Sequence, residues 1–151
     1  MSRQSIPSNP PEDSNALYAG DVLPADVWAA LAADPSATLV DCRTQAEWLF
    51  VGTPDLHDLG KQVVLVEWLS YPDGKVDAHF ADKLAEHGVS TDAPVYFICR
   101  SGTRSKAAAI AATSASYREA YNVAEGFEGP RGSDGKRTVS GWKIAELPWR
   151  Q

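Results

Sequence analysis

The chain has 151 residues, of which 44% are hydrophobic, a size and composition typical of one globular domain. Its formal net charge of -6 at pH 7, without a basic stripe, argues against a nucleic-acid partner. No apolar run approaches the roughly 18 residues of a membrane span, so no membrane association is expected. Nor does the N-terminus carry an apolar signal-peptide core. We predict a flexible N-terminal tail over 1–16, rich in Ser, Pro and Asn, and a single domain over 17–151.

In the first half of that domain, strands are predicted to alternate with helices. The predicted elements, in chain order, are an edge strand at 22–23, a helix at 24–33, a strand at 37–40, a short helix after Thr44, a loop at 50–56 and a strand at 63–66. Pro24 suits the first turn of its helix. Thr44 and Glu47 form a capping-box pattern. The continuous apolar run at 63–66 is typical of a strand covered on both faces.

The second half continues the alternation. Its predicted elements are a turn at 70–74, a helix at 78–87, a strand at 95–98, a helix after Ser105, a strand at 120–123, a glycine-rich loop at 126–135 and a helix at 141–147. The strand at 95–98 is a β-branched and aromatic run, and the helix after it is rich in alanine. Alternating strands and helices predict a parallel sheet with helices on both faces. Ligands of such sheets bind beyond the carboxyl ends of the strands.

The segment from Cys99 to Arg104 lies at such an end, between a predicted strand and a predicted helix. Backbone N–H groups in the turn and the first helical turn lack partners, and with the helix dipole they stabilise negative charge. They should therefore favour the thiolate of Cys99. Arg100 and Arg104 add positive charge and present planar forks to anionic oxygens. Gly102 suits a tight anion-binding turn. We predict a nucleophilic cysteine that receives an anion.

Three segments together resemble the rhodanese family in its single-domain form, across roughly residues 22–149. They are the loop Cys99-Arg-Ser-Gly-Thr-Arg-Ser105, the stretch 39–48 with its Asp-x-Arg motif followed by Glu and Trp, and the closing pieces at 121–127, 141–142 and 147–149. One loop departs from the family, since Gly52-Thr-Pro-Asp-Leu56 stands where Gly-His-Ile is common. The resemblance implies a central, mostly parallel five-stranded sheet with helices on both faces.

The resemblance also implies sulfurtransferase activity of the thiosulfate:cyanide type. Cys99 would be the nucleophile that carries the persulfide. The N–H groups that would face the transferred sulfur belong to the anion-binding loop of Arg100, Ser101, Gly102, Thr103 and Arg104. Apart from the resemblance, Asp41, Arg43 and Glu47 could act as acid–base groups, but supporting roles as an ion pair and a helix cap behind the site are favoured. The expected partners are a small anionic sulfur donor and a thiophilic acceptor, such as cyanide or a thiol, with a sulfur-relay protein left open. Neither a cofactor nor a metal is expected, and a monomer is the default.

Two other functions stay open for this fold. Phosphatases and arsenate reductases carry five residues between Cys and Arg, whereas four separate Cys99 from Arg104 here. The shorter loop makes a smaller cradle, suited to a sulfur atom rather than a tetrahedral phosphate. A non-catalytic binding or regulatory module is the second alternative, although inactive members usually lose the cysteine that this chain keeps.

For several side chains, the sequence allows either a structural or a functional role. Cys42 is either a small buried hydrophobe or a resolving cysteine that attacks a Cys99 persulfide. One of Arg100 and Arg104 could pair with an acid instead of the anion. The histidines receive no role, and Trp68 is the tryptophan expected nearest the mouth of the site. Two cysteines without metal-ligand spacing favour a reducing compartment, so a cytoplasmic protein is expected.

Overall fold

The computed structural model describes residues 17–70 and 73–151. The predicted tail at 1–16 and two residues of the predicted turn at 70–74 lie outside the described residues. The strands are β1 (Gly20–Val22), β2 (Thr38–Asp41), β3 (Thr53–Pro54), β4 (Val64–Leu65), β5 (Val95–Ile98), β6 (Ala120–Val123) and β7 (Trp149–Arg150). The α-helices are α1 (Pro24–Ala33), α2 (Gln45–Phe50), α3 (Phe80–Glu86) and α4 (Thr103–Ser114), and a 3-10 turn spans His57–Leu59.

The fold is α/β with a central five-stranded sheet, as predicted, and the strand order is β1-β6-β5-β2-β4. All four pairings in this sheet are parallel. Strand β5 lies in the middle, and all four of its residues are buried. Parallel strands end together at one edge, so the loops that follow β5, β2 and β6 lie close to one another there.

Side chains of β5 alternate between two hydrophobic clusters, one on each face of the sheet. Val95 and Phe97 pack into the cluster that includes residues of α3 and α4. Tyr96 and Ile98 pack into the other, with Val27 and Leu31 of α1 and with Trp142. This period of two is what a strand buried on both faces requires. The helices therefore cover both faces of the sheet, as the sequence predicted.

Local sequence signals account for the helix ends. Pro24 lies in the first turn of α1. The capping box before α2 is confirmed, because Thr44 Oγ1 accepts from Glu47 N and the Glu47 carboxylate accepts from Thr44 N. Helix α4 begins earlier than predicted, at Thr103, so Ser105 lies in its first turn.

Three expectations about individual elements were wrong. The segment 141–147 forms turns rather than a helix, with positive φ values at Gly141 (113°) and Glu146 (61°). The supposed loop at 50–56 contains β3, which pairs antiparallel with β7. Strand β4 is at the sheet edge instead of being covered on both faces, and Leu65 is 37% exposed. Val64 and Val66 pack into the cluster with α3 and α4, whereas Leu65 points to the opposite face, which is open there.

Candidate active site at the end of the central strand

Cys99 follows β5 directly and is 1% exposed. Its Sγ accepts hydrogen bonds from Gly102 N at 3.2 Å and from Ser105 N at 3.3 Å. The loop can curl back in this way because Gly102, at the N-cap of α4, has a φ of 109°, which residues with a Cβ rarely adopt. Two N–H donors at the start of a 12-residue helix thus converge on one sulfur. This arrangement stabilises negative charge on that sulfur or on an atom bonded to it.

A side-chain network also reaches the sulfur, and sequence reasoning did not find it. Ser105 Oγ lies 3.1 Å from Cys99 Sγ and donates to Asn122 Oδ1 at 2.6 Å. Asn122 Nδ2 donates to Asp21 Oδ1 at 3.0 Å, and Tyr18 Oη donates to the same oxygen at 2.9 Å. Burial, together with the hydrogen bond and charge of Asp21, raises the pKa of Tyr18 to about 12. Only the position of Ser105, at the start of the predicted helix, could have pointed to this network.

Arg104 is held by an acid. Its Nη1 and Nη2 donate to Glu47 Oε1 and Oε2 at 2.6 and 2.9 Å. Burial alone would raise the pKa of Glu47, but the hydrogen bond and charge of Arg104 lower it to about 2. The same hydrogen bond raises the pKa of Arg104. Arg104 is therefore the arginine of the two that pairs with an acid, and this pair fastens α4 to the start of α2.

Arg100 differs from Arg104 because it is exposed and makes no ion pair with a described residue. The glycine-rich segment binds its backbone, since Glu128 N and Gly129 N donate to Arg100 O at 3.0 and 3.1 Å. Arg137 Nη1 donates to Gly129 O in the same segment. Burial lowers the pKa of Arg137, and the charges of Arg100 and Arg131 lower it further. The segment 128–137 thus places the charges of Arg131 and Arg137 near Arg100, with Glu128 as an opposing charge.

Gly126 fits the glycine-rich segment closely against the Cys99 loop. Its φ is 63°, and a Cβ built there would lie 2.5 Å from Cys99 O and 2.6 Å from Arg100 O. Because only glycine fits, Phe127 N can donate to Cys99 O at 2.8 Å. The backbone of the Cys99 loop is thereby tied to the start of the glycine-rich segment.

Asp41 and Arg43 form a fully buried ion pair, with Arg43 Nη2 2.7 Å from Asp41 Oδ2. Arg43 Nη2 also donates to Gly52 O at 2.6 Å, and the guanidinium lies 4.4 Å from the centroid of the Phe127 ring. The pair joins the end of β2 to two loops.

Cys42 has the environment of a structural thiol. It is fully buried, packs in the same cluster as Cys99, and donates from Sγ to Ile98 O at 3.4 Å. Burial raises the pKa of its thiol well above the usual range. A thiolate at Cys42 is therefore costly, which favours a structural role for this thiol over a resolving one.

Trp68 packs against this cluster, with its ring 5.1 Å from that of Phe80.

The rest of the described chain adds no further chemistry to this site. His57, His79 and His87 are exposed. Over residues 17–70 and 73–151, no three His, Cys, Asp or Glu side chains are grouped so that they could hold a metal ion. Among the helices in those ranges, none has the length and apolar character needed to cross a bilayer.

Comparison with known proteins places the chain in a family. The family model described as the STR4 middle domain matches residues 21–151. The chain belongs to the STR4 middle-domain family. Its relatives include "Uncharacterized protein RC0915" of Rickettsia conorii, 36% identical over 80% of this chain and 88% of that protein. A distant relative is "Rhodanese-like domain-containing protein 4, chloroplastic" of Arabidopsis thaliana, 26% identical over 82% of this chain and 24% of that protein.

Solved structures agree with the fold. The crystal structure of Rv0390 from M. tuberculosis is 49% identical, with a TM-score of 0.79, over 89% of this chain and 98% of that chain. The polysulfide-sulfur transferase homodimer of Wolinella succinogenes is 22% identical, with a TM-score of 0.56, over 86% of this chain and 77% of that chain. The relatives and structural neighbours together show distant rhodanese-like homology and a rhodanese-like fold.

Proposed function

We propose that this protein is a sulfurtransferase in which Cys99 carries a persulfide. The observation that carries the proposal is the convergence of Gly102 N and Ser105 N on Cys99 Sγ, at the start of α4. These donors are fixed by the backbone, so they stabilise charge during reaction without reorganising, as an oxyanion hole does. Homology to rhodanese-like proteins supports the same class of chemistry.

The reaction divides into two transfers. The Cys99 thiolate attacks the outer sulfur of an anionic donor such as thiosulfate, the S–S bond of the donor breaks, and sulfite leaves with the bonding electron pair. Cys99 then carries a persulfide whose outer sulfur bears the negative charge. A thiophilic acceptor such as cyanide attacks that outer sulfur, and the thiolate is regenerated as the product, thiocyanate, departs. Covalent catalysis thus replaces one difficult step by two easier ones.

Two features favour an anionic donor whose reactive sulfur is terminal and sterically unhindered. Cys99 is almost completely enclosed, so the reactive sulfur of the donor has to be terminal and able to reach between the loop residues. Arg100 is exposed and makes no ion pair with a described residue, and the charges of Arg131 and Arg137 add to its own. The donor class proposed is therefore an anion that ends in a sulfane sulfur, such as thiosulfate or polysulfide.

The state of Arg104 argues against phosphoryl chemistry. An arginine binds phosphate oxygens through the two arms of its fork. Both arms of the Arg104 fork are bonded to Glu47. The loop also has one residue fewer between Cys and Arg than phosphatase loops have. A sulfur atom needs only the backbone donors, which remain directed at Cys99.

The test is thiocyanate formation from thiosulfate and cyanide, with hydrolysis of an aryl phosphate measured in parallel. Wild-type protein should form thiocyanate, and Cys99→Ser should not. Cys42→Ser is the matched control, because a serine hydroxyl can still donate to Ile98 O as the thiol does. It should retain most of the activity. Phosphate release without thiocyanate would replace the proposal with phosphatase chemistry, and neither product with any sulfur donor would favour a binding module.

A further inference from the structure

A continuous line of hydrogen bonds leads from the protein surface to the buried sulfur. Asp21 is exposed on β1, Asn122 is 4% exposed on β6, and Ser105 is fully buried on α4. Their side chains connect in series to Cys99 Sγ, over distances of 3.0, 2.6 and 3.1 Å. The sulfur transfer proposed above uses the backbone N–H of Ser105, but it gives no role to the side chains of Ser105, Asn122 and Asp21.

The carboxylate of Asp21, at the surface end of this series, fixes the direction of the hydrogen bonds that lead to Cys99. An ionised carboxylate only accepts, so the amide nitrogen of Asn122 faces Asp21 and the amide oxygen faces Ser105. That oxygen cannot donate, so the single hydroxyl proton of Ser105 points to Asn122. Towards Cys99, the hydroxyl therefore presents a lone pair.

A lone pair suits an uncharged Sγ better than a charged one. A thiol can donate its S–H to Ser105 Oγ, whereas a thiolate would face the lone pair across 3.1 Å. In a persulfide, Sγ is again uncharged and the charge is on the outer sulfur. We propose that Asn122 and Asp21 are positioning residues that turn the Ser105 hydroxyl proton away from Cys99 and so limit the resting thiolate population. If sulfur transfer occurs as proposed, the thiolate has fewer hydrogen-bond donors and is a stronger nucleophile.

Other ionisable groups near the sulfur have to stay constant in any test. Cys42, directly after β2, interacts electrostatically with Cys99, as does Arg104 from α4. Asp41 acts on Cys42, and Glu47 compensates the charge of Arg104. Arg100 is exposed on the Cys99 loop itself. Asn122 hydrogen-bonds through its side chain to Ser105 and Asp21 instead, so variants of Asn122 leave these groups in place.

The first experiment titrates the thiolate of Cys99 by its ultraviolet absorbance, in the full chain with Cys42→Ser as background. Asn122→Leu should move the titration midpoint to lower pH, because Ser105 is then free to donate to the thiolate. A hydrogen bond to a charged group is worth at least about 1.4 kcal/mol, so the thiolate fraction below the midpoint should rise about tenfold. An unchanged or higher midpoint would overturn the proposal.

The second experiment tests whether the shift acts through Ser105. In the double variant Asn122→Leu with Ser105→Ala, the midpoint should be no lower than in Ser105→Ala alone. A shift of the same size without the hydroxyl would mean general loosening and would overturn the assignment. Both titrations work without any sulfur donor, so loss of the proposed transfer activity and failure of this inference are separate outcomes.

A surface variant covers the case in which Asn122→Leu does not fold. Asp21→Ala removes the oxygen that accepts from Asn122, so Asn122 can turn its nitrogen to Ser105 and release the hydroxyl proton towards sulfur. The midpoint should fall, by less than in Asn122→Leu. Asp92→Asn removes the same charge from another exposed position and should not move it. Equal midpoints for both variants would contradict the proposal.

Discussion

Neutralising Glu47 tests whether the Arg104 ion pair holds the Cys99 loop. In Glu47→Gln, the amide oxygen can still accept from Thr44, so the helix cap is largely kept. What is lost is the negative charge opposite Arg104, together with the 2.9 Å bond from Arg104 Nη2 to the second carboxylate oxygen. The variant therefore isolates the ion pair from the cap.

The magnitude follows from the pKa of Glu47. The folded value of about 2 lies below the ordinary 4.5. Each pKa unit corresponds to about 1.4 kcal/mol, so the shift amounts to about 3 kcal/mol, and screening of the partly exposed pair reduces this to about 2 kcal/mol. Because the folded pKa is lowered, this stability is fully present above the unfolded pKa near 4.5 and is lost as pH falls towards 2.

The assay is the free energy of unfolding in urea, measured at pH 7 and at several pH values below 4.5. Glu47→Gln should be about 2 kcal/mol less stable than wild type at pH 7, and the difference should shrink as the pH falls. Asp77→Asn is the control, since it removes an ion pair whose Lys83 partner is half exposed, so water and salt screen it and its loss should change stability much less. A difference between Glu47→Gln and wild type that does not change with pH would refute the reasoning.

Three further substitutions test the surroundings of the site. Gly126→Ala should lower the free energy of unfolding by more than about 2 kcal/mol and reduce thiocyanate formation, because its Cβ would meet Cys99 O. Its control is Gly88→Ala, which is also at positive φ but has open space around it. That variant should lose about 1 kcal/mol of stability and keep its turnover. Cys42→Val should leave turnover and sensitivity to oxidation unchanged, and a fall in either would restore the resolving role. Tyr117→Phe removes a buried hydrogen bond to Val89 O, so urea unfolding should show a loss of about 1 kcal/mol, and no loss would contradict its contribution.

The parts of the fold that sequence predicted are those with strong local signals. Strand β5 and helix α4 follow from a β-branched run and an alanine-rich run that are adjacent in the chain. The capping box at Thr44 is likewise contained in four residues. Since the loop from Cys99 to Gly102 joins two such elements, its position at the carboxyl end of the sheet follows from the residues on either side of it.

The parts that sequence missed depend on contacts between distant segments. Strands β3 and β7 are two residues each and pair across most of the chain, so neither has a local signature. The apolar positions at 141–147 fit a helix, but positive φ at Gly141 and Glu146 forms turns. The pairing of Arg104 with Glu47, and of Ser105 with Asn122, depends on which loops the parallel sheet brings together at one edge.

Intact mass after exposure to thiosulfate tests the central claim most directly. Wild-type protein, freed of excess donor, should gain the mass of one sulfur atom and release it as an equal amount of thiocyanate when cyanide is added. Cys42→Ser should behave in the same way, and Cys99→Ser should gain nothing. Absence of the adduct in wild type with thiosulfate and with polysulfide, or its persistence in Cys99→Ser, would contradict sulfur transfer through Cys99.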